Sequence, residues 1–311
     1  MKIPFLNGTF RTVIKADSLR EFSPRYRKTD SSFKDIRDSH VLRLQYQDAR
    51  PWFFNDHCFF EDQNGLLHLF GINNPYPEDD GVLYQFHPFI SHFVTNDPLS
   101  GWQPVGFALD ESSGTEYLGA PFVFRHHQGG YRMILESLRK GVRILEMAES
   151  ADLYDWKRLG EPLFEELGYT KRDPCVVYEK STYRIYLCNP RQGKSVITLA
   201  ETDDFRKFRY TDVLSIDDGS GYGGIESPFV LKHENWFYLF FTYAHRQYYE
   251  TIVVPSDRHD SFSMDNCLTT LFGHASEIFA YNGVFYFSSA GPEDYQELND
   301  HGIKLVELKW K

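Results

Sequence analysis

The chain has 311 residues, 41% hydrophobic and 17% aromatic, enough to build a sizeable core. Its formal net charge of −11 argues against a nucleic-acid partner, which requires a basic stripe. No run approaches the roughly 18 apolar residues of a membrane-spanning helix, and no signal-peptide core follows Met1, so no membrane partner is expected.

Residues 1–45 are mixed in character. Residues 8–15 (Gly-Thr-Phe-Arg-Thr-Val-Ile-Lys) have the pattern of a strand, and residues 18–39 are charged and Ser-rich. This segment is expected to act as an arm and to supply the strand that closes a ring of repeats.

From there a repeat organises the chain. Asp56-His57-Cys58-Phe59-Phe60, Ala120-Pro121-Phe122-Val123-Phe124, Asp173-Pro174-Cys175-Val176-Val177, Ser227-Pro228-Phe229-Val230-Leu231 and Ser276-Glu277-Ile278-Phe279-Ala280 align with one another. Each opens a short apolar strand, and each is followed by a turn and a second strand. A second pattern runs in phase with the first. Asp97, Asp152, Asp204 and Asp257 each precede an aromatic residue (Trp102, Trp156, Phe208, Phe262), marking a polar turn between a third and a fourth strand. Five units of about 50 residues, each of four short strands, predict an all-β fold, a five-bladed β-propeller with four antiparallel strands per blade. No helical apolar period and no linker interrupt the pattern, so residues 1–311 are expected to form a single domain.

Antiparallel order sorts the loops. The starts of the first strands and the loops between second and third strands share one face. The first such loop, residues 73–89, is the longest, a candidate wall or lid. On the same face Asp56, Asp173 and Glu226 stand at the entries to the innermost strands of blades one, three and four. Glycoside hydrolysis needs one carboxylic acid for the leaving oxygen and a second carboxylate for water or for the sugar. A third acid nearby holds the acid's pKa up. Three acids from three blades meet that requirement.

The motifs carry a family resemblance. Trp52-Phe53-Phe54-Asn55-Asp56-His57 and Arg172-Asp173-Pro174 resemble the first- and third-blade elements of family 32 fructosidases. Glu226-Ser227-Pro228, Ala120-Pro121-Phe122-Val123 and Gly273-His274-Ala275-Ser276-Glu277 resemble elements of family 43 glycoside hydrolases. His57 stands where Pro is usual, and Ser227 where Gly or Ala is. The family 43 resemblance implies an inverting hydrolase with Asp56 as general base, Asp173 as pKa modulator and Glu226 as general acid. The family 32 resemblance implies retention instead, with Asp56 as nucleophile.

The resemblance also places His274 near the central channel, where family 43 enzymes hold an ion through water. No cofactor is expected to be required, no protein-ligated metal is expected, and an ion near His274 is the one addition. Trp52, Asn55, Arg172, His274 and Arg246 are the candidate substrate-binding residues, with Phe54 beside Trp52 as a second ring for stacking. Asn73, Tyr76, Glu136, Asn189, Arg191 and His245, like Arg246, are expected on the loops between second and third strands of the same face. The expected partner is an oligosaccharide or glycoside, arabinofuranosides and xylosides first. A non-catalytic sugar-binding propeller and a phosphorylase are the competing readings. Cys58, Cys175, Cys188 and Cys267 form no CxxC pair and read as free thiols in a reducing compartment, so a cytoplasmic location is expected.

Overall fold

The computed structural model describes residues 1–19, 52–75, 89–110, 117–139, 142–168, 171–219, 224–243, 249–290 and 301–311. The first strand, β1 (Pro4–Ile14), belongs to the last blade. Blade one holds β2 (Trp52–Glu61), β3 (Leu67–Pro75), β4 (Phe89–Thr95) and β5 (Gln103–Asp110). Blade two holds β6 (Leu118–Arg125), β7 (Tyr131–Arg139), β8 (Val142–Ser150) and β9 (Trp156–Leu163). Blade three holds β10 (Arg172–Glu179), β11 (Thr182–Cys188), β12 (Lys194–Thr202) and β13 (Arg209–Asp217). Blade four holds β14 (Ile225–His233), β15 (Trp236–Tyr243), β16 (Glu250–Ser256) and β17 (Thr269–Phe272). Blade five holds β18 (Ile278–Tyr281), β19 (Val284–Ser289) and β20 (Ile303–Trp310), and β1 completes it.

The blades are antiparallel meanders, built by local turn chemistry. Lys180-Ser181 and Asn282-Gly283 have positive φ at both positions, the conformation that matches strand twist in two-residue hairpins. The turn between third and fourth strands repeats one device. Thr95, Ser150 and Thr202 accept at their hydroxyls from the amides of Asp97, Asp152 and Asp204. Each Asp in turn accepts from the amide two residues on. Trp102 and Trp156 close the turn by donating Nε1–H to the carbonyls of Pro98 and Leu153. These acids are turn residues.

The core lies between blades. Phe53, Cys58 and Phe70 of blade one pack on Leu118, Val123 and Met133 of blade two. Like clusters join blades two and three, three and four, and four and five. The gap between blades five and one is filled by Leu67, Tyr281 and Tyr286 and by Ile14, Leu19, Phe54, Leu69, Phe93 and Ile303. Ring closure is made by strand pairing. β1 pairs antiparallel with β20 from Pro4↔Trp310 to Ile14↔Ile303, so blade five takes its outermost strand from the N-terminal segment. The closing strand starts at Pro4 rather than at Gly8 and ends at Ile14.

Candidate active site

The innermost strands begin with a common irregularity. Register breaks between Phe54 and His57, Gly119 and Phe122, Arg172 and Cys175, and Glu226 and Phe229. Ala120, Asp173, Ser227 and Ala275 all carry positive φ, from 40° to 55°. A bulge of this kind re-aims the side chains at the strand entry. Here it turns them toward the channel. Asp56, His57, Ala120, Pro121, Asp173, Pro174, Ser227, Pro228, Ala275 and Glu277 line one cavity of about 290 Å³, counting the part open to solvent.

One guanidinium organises the acids around it. Arg172, buried, donates from Nη1 to Asp173 Oδ2 at 2.6 Å and from Nη2 to Glu226 Oε1 at 3.0 Å. Nη2 also donates to the carbonyl of Ile225 at 2.8 Å. Asp173 Oδ2 accepts a second bond, from the amide of Ser227 at 2.9 Å. The amide of Asp173 donates to Glu136 Oε1 at 3.3 Å. Glu136 is buried near the end of β7 and faces Arg143, whose guanidinium lies over the Tyr117 ring. By contrast, the carboxyls of Asp56 and Glu277 have no hydrogen-bond or ion-pair partner among the described residues.

The electrostatics follow from crowding. Burial raises the Asp56 carboxyl well above its usual range, and Asp173, Glu136 and Glu226 push it further, against the opposing pull of Arg172. Burial, then Asp173, lifts Glu136 to about 8 despite Arg143 and Arg172. Burial, then Asp56 and Asp173, lifts Glu277 well above its usual range. The site therefore holds protons at pH values where ordinary carboxylates do not.

Asp56 and Asp173 line the cavity, and Arg172 joins Asp173 to Glu226, all three charges acting on Asp56. Asp173 and Glu226 are not register equivalents. The residue matching Asp173 in blade four is Ser227, and Glu226 matches Arg172. Phe54 presents no ring face for stacking, while Trp52 is partly buried. Phe54 is fully buried against Phe93, and Trp52 packs on the same cluster between blades five and one. Asn55 is buried, and its backbone carbonyl accepts from His57.

His274 is buried, bonded through its amide to Ser289 Oγ and through Nδ1 to the carbonyl of Ala290 at 2.7 Å. A carbonyl only accepts, so Nδ1 carries the proton. Among the described residues no three His, Cys, Asp or Glu side chains are grouped to ligate a metal. Asn73 anchors the carbonyls of Ala16 and Phe53, Asn189 bonds Thr198, and Arg191 pairs with Asp212. Tyr76, His245 and Arg246, with most of the long first loop, lie outside the described residues.

Two carboxylates of the site were not among the catalytic candidates. Glu136 sits in β7 rather than on a loop, opposite Gly119. Its signal was an acid directly after the apolar run Met133-Ile134-Leu135 of the second strand. Glu277 was aligned one residue off. Ala275, not Ser276, is the equivalent of Ala120 and Ser227, because it shares their positive φ. His57, in place of the usual Pro, bridges blades: Nε2 contacts Ser288 Oγ of β19 at 2.8 Å.

By sequence, neither a protein-family model nor a curated protein matches the chain. By structure the matches are extensive. A family 43 β-xylosidase/α-arabinofuranosidase from a compost microbial metagenome, in complex with xylotriose, superposes with a TM-score of 0.64 at 14% identity. The match covers 83% of this chain and 91% of that one. The fold is that of the five-bladed glycoside hydrolases. An α-L-arabinanase of Cellvibrio cellulosa complexed with arabinohexaose gives 0.60 at 15% identity, covering 83% and 93%. A family 32 β-fructofuranosidase of Bombyx mori with sucrose gives 0.62 at 14%, covering 81% of this chain and 59% of that one.

Proposed function

We propose that this propeller is a glycoside hydrolase acting on short oligosaccharides or terminal sugars, arabinofuranosides and xylosides first, with inversion at the anomeric carbon. The observation that carries this reading is that Asp56 and Asp173, from two blades, line one cavity while Glu226, from a third, is joined to Asp173 through Arg172 and lies near enough to act on the Asp56 charge. The xylose- and arabinose-based ligands of the structurally similar enzymes support the substrate class.

In the proposed reaction Glu226 gives its proton to the glycosidic oxygen as the bond from that oxygen to the anomeric carbon breaks. Asp56 takes a proton from water as the water oxygen bonds to the opposite face of that carbon. The lack of a protein partner on the Asp56 carboxyl suits a base that must hold water. Asp173, fixed by Arg172 and the Ser227 amide, suits a residue that orients the acid and tunes its protonation. No step uses a cofactor. An ion near His274 would touch the site through water. Free Cys58, Cys175, Cys188 and Cys267 support a reducing, cytoplasmic setting.

The family 32 likeness, together with Arg172-Asp173-Pro174, favours a second reading, a retaining fructofuranosidase-like hydrolase with Asp56 as nucleophile. One experiment separates them. An aryl-glycoside panel (α-L-arabinofuranoside, β-D-xyloside, α- and β-galactosides) plus sucrose is assayed with wild type and Glu226→Gln, and the first-formed anomer is read by NMR. The expected result is cleavage of one class, inverted product, and loss of most of the rate in the variant on poor leaving groups. No turnover, or a variant as fast as wild type, sinks the reading and moves a non-catalytic sugar-binding propeller ahead.

A further inference from the structure

Two residues past each cavity-rim position, the innermost strands place Cys58, Phe122, Cys175 and Phe229 in blades one to four. Cys58 and Cys175 are buried, and the Phe122 and Phe229 rings face each other at 6.4 Å. This layer is apolar. In blade five the same position is Glu277. Its amide donates to Ser288 Oγ at 2.9 Å and its carbonyl accepts from the Ser288 amide at 3.0 Å, and the next pair is Ile278↔Phe287, as Val176↔Ile185 follows Cys175↔Tyr186 in blade three.

A carboxyl at this level is costly where four sister blades place a thiol or a phenyl ring. Nothing among the described residues offsets the cost. No donor or cation reaches it, and the charged groups acting on it are Asp56 and Asp173, both acidic. The carboxyl does line the cavity. Ser288, which holds the Glu277 backbone, is itself held by His57, so the carboxyl stands on a braced strand entry.

We infer that Glu277 is a specificity-determining residue of the site, its carboxyl hydrogen-bonding a ring hydroxyl of the sugar that enters the cavity. The inference rests on the glycoside hydrolase reading and names a contact that the three acids do not supply. The hydroxyl provides the partner that the protein withholds. The upward shift of this carboxyl, from burial and its acidic neighbours, favours the neutral acid, which both donates and accepts.

The test uses wild type, Glu277→Leu and Glu277→Gln on the glycoside that wild type cleaves and on its monodeoxy analogues, with melting temperatures measured alongside. Leu fits the apolar layer, so Glu277→Leu is expected to melt higher than wild type. It is also expected to lose about 10- to 150-fold in kcat/KM, the worth of a hydrogen bond to a charged or acid group. One deoxy analogue should be as poor for wild type as the parent is for Glu277→Leu, and the Leu variant should no longer distinguish the two. Glu277→Gln, which keeps a donor and an acceptor, should fall between. If Glu277→Leu fails to fold, the Gln variant's discrimination among the analogues decides. Parent turnover within twofold of wild type, or an equal loss on every analogue, overturns the inference alone. Absence of turnover by wild type overturns the hydrolase reading and the inference with it.

Discussion

Arg172 Nη2 lies 3.0 Å from Glu226 Oε1, and the two residues occupy the same register position in adjacent blades. The same guanidinium holds Asp173 at 2.6 Å, so one side chain sets the spacing of two acids 54 positions or fewer away in sequence. Arg172→Ala leaves buried carboxylates without their cation. A loss of about 3–5 kcal/mol is expected, read as a lower denaturation midpoint at unchanged slope. Arg172→Lys offers a point charge instead of a fork. It should fold better than the Ala variant while kcat/KM falls steeply. Wild-type activity in Arg172→Lys would refute the bridging role.

The raised carboxyls make stability depend on pH. Glu136 has an ordinary value of 4.5 and sits at about 8 in the fold, and Asp56 and Glu277 are shifted the same way. The folded state thus keeps protons that the unfolded chain releases. Their contribution is full below the ordinary carboxylate range and is lost as pH rises toward 8. His68 and His92 oppose this. They are hydrogen-bonded to each other at 2.8 Å, and burial lowers both, His92 to about 3, from an ordinary 6.5. Their contribution is present above pH 6.5 and is lost on acidification. Between pH 6.5 and 8 the carboxyls titrate and these two imidazoles do not, so the melting temperature should fall across that window. Glu136→Gln should flatten the fall. Equal slopes in wild type and variant would exclude Glu136 as a source.

His57 ties the first blade to the last. Nδ1 donates to the carbonyl of Asn55 at 3.0 Å, which leaves Nε2 of the neutral ring to accept from Ser288 Oγ at 2.8 Å. Ser288→Ala removes that donor from a buried nitrogen. A loss of about 1–3 kcal/mol is expected. Because Asp56 directly precedes His57, kcat should fall as well. A variant with wild-type midpoint and wild-type kcat would show that the bridge positions nothing.

Closure of the ring depends on one glycine. A Cβ on Gly302 would lie 2.2 Å from the carbonyl oxygen of Ile14, a backbone atom that cannot swing aside. Ile14 pairs with Ile303 at the end of the β1–β20 ladder. Gly302→Ala is expected to cost about 1–3 kcal/mol or more and to unpair the end of β1. The uncovered edge of β20 should then promote association. Limited proteolysis near Ile14, faster in the variant, is the direct check; equal rates would show that the strand end absorbs the methyl group.

The blades were legible because each is made by short-range rules. Turn acids such as Asp97 and Asp152 bond amides two residues away, and Lys180-Ser181 bends its own hairpin. Repetition then exposes the period, and the entries to the innermost strands place Asp56, Asp173 and Glu226 near one another. The identity of the full carboxyl set was a tertiary matter. Glu136 reaches Asp173 across 37 positions, Arg172 reaches Glu226 across 54, and His57 reaches Ser288 across 231. Glu277 was missed by a single residue. Strand side chains alternate, so a shift of one turns a side chain from the channel to the neighbouring layer. Composition and spacing carry no marker of that parity where Ala275 replaces an acid. Only the pairing of β18 with β19 and the left-handed backbone at Ala275 decide it.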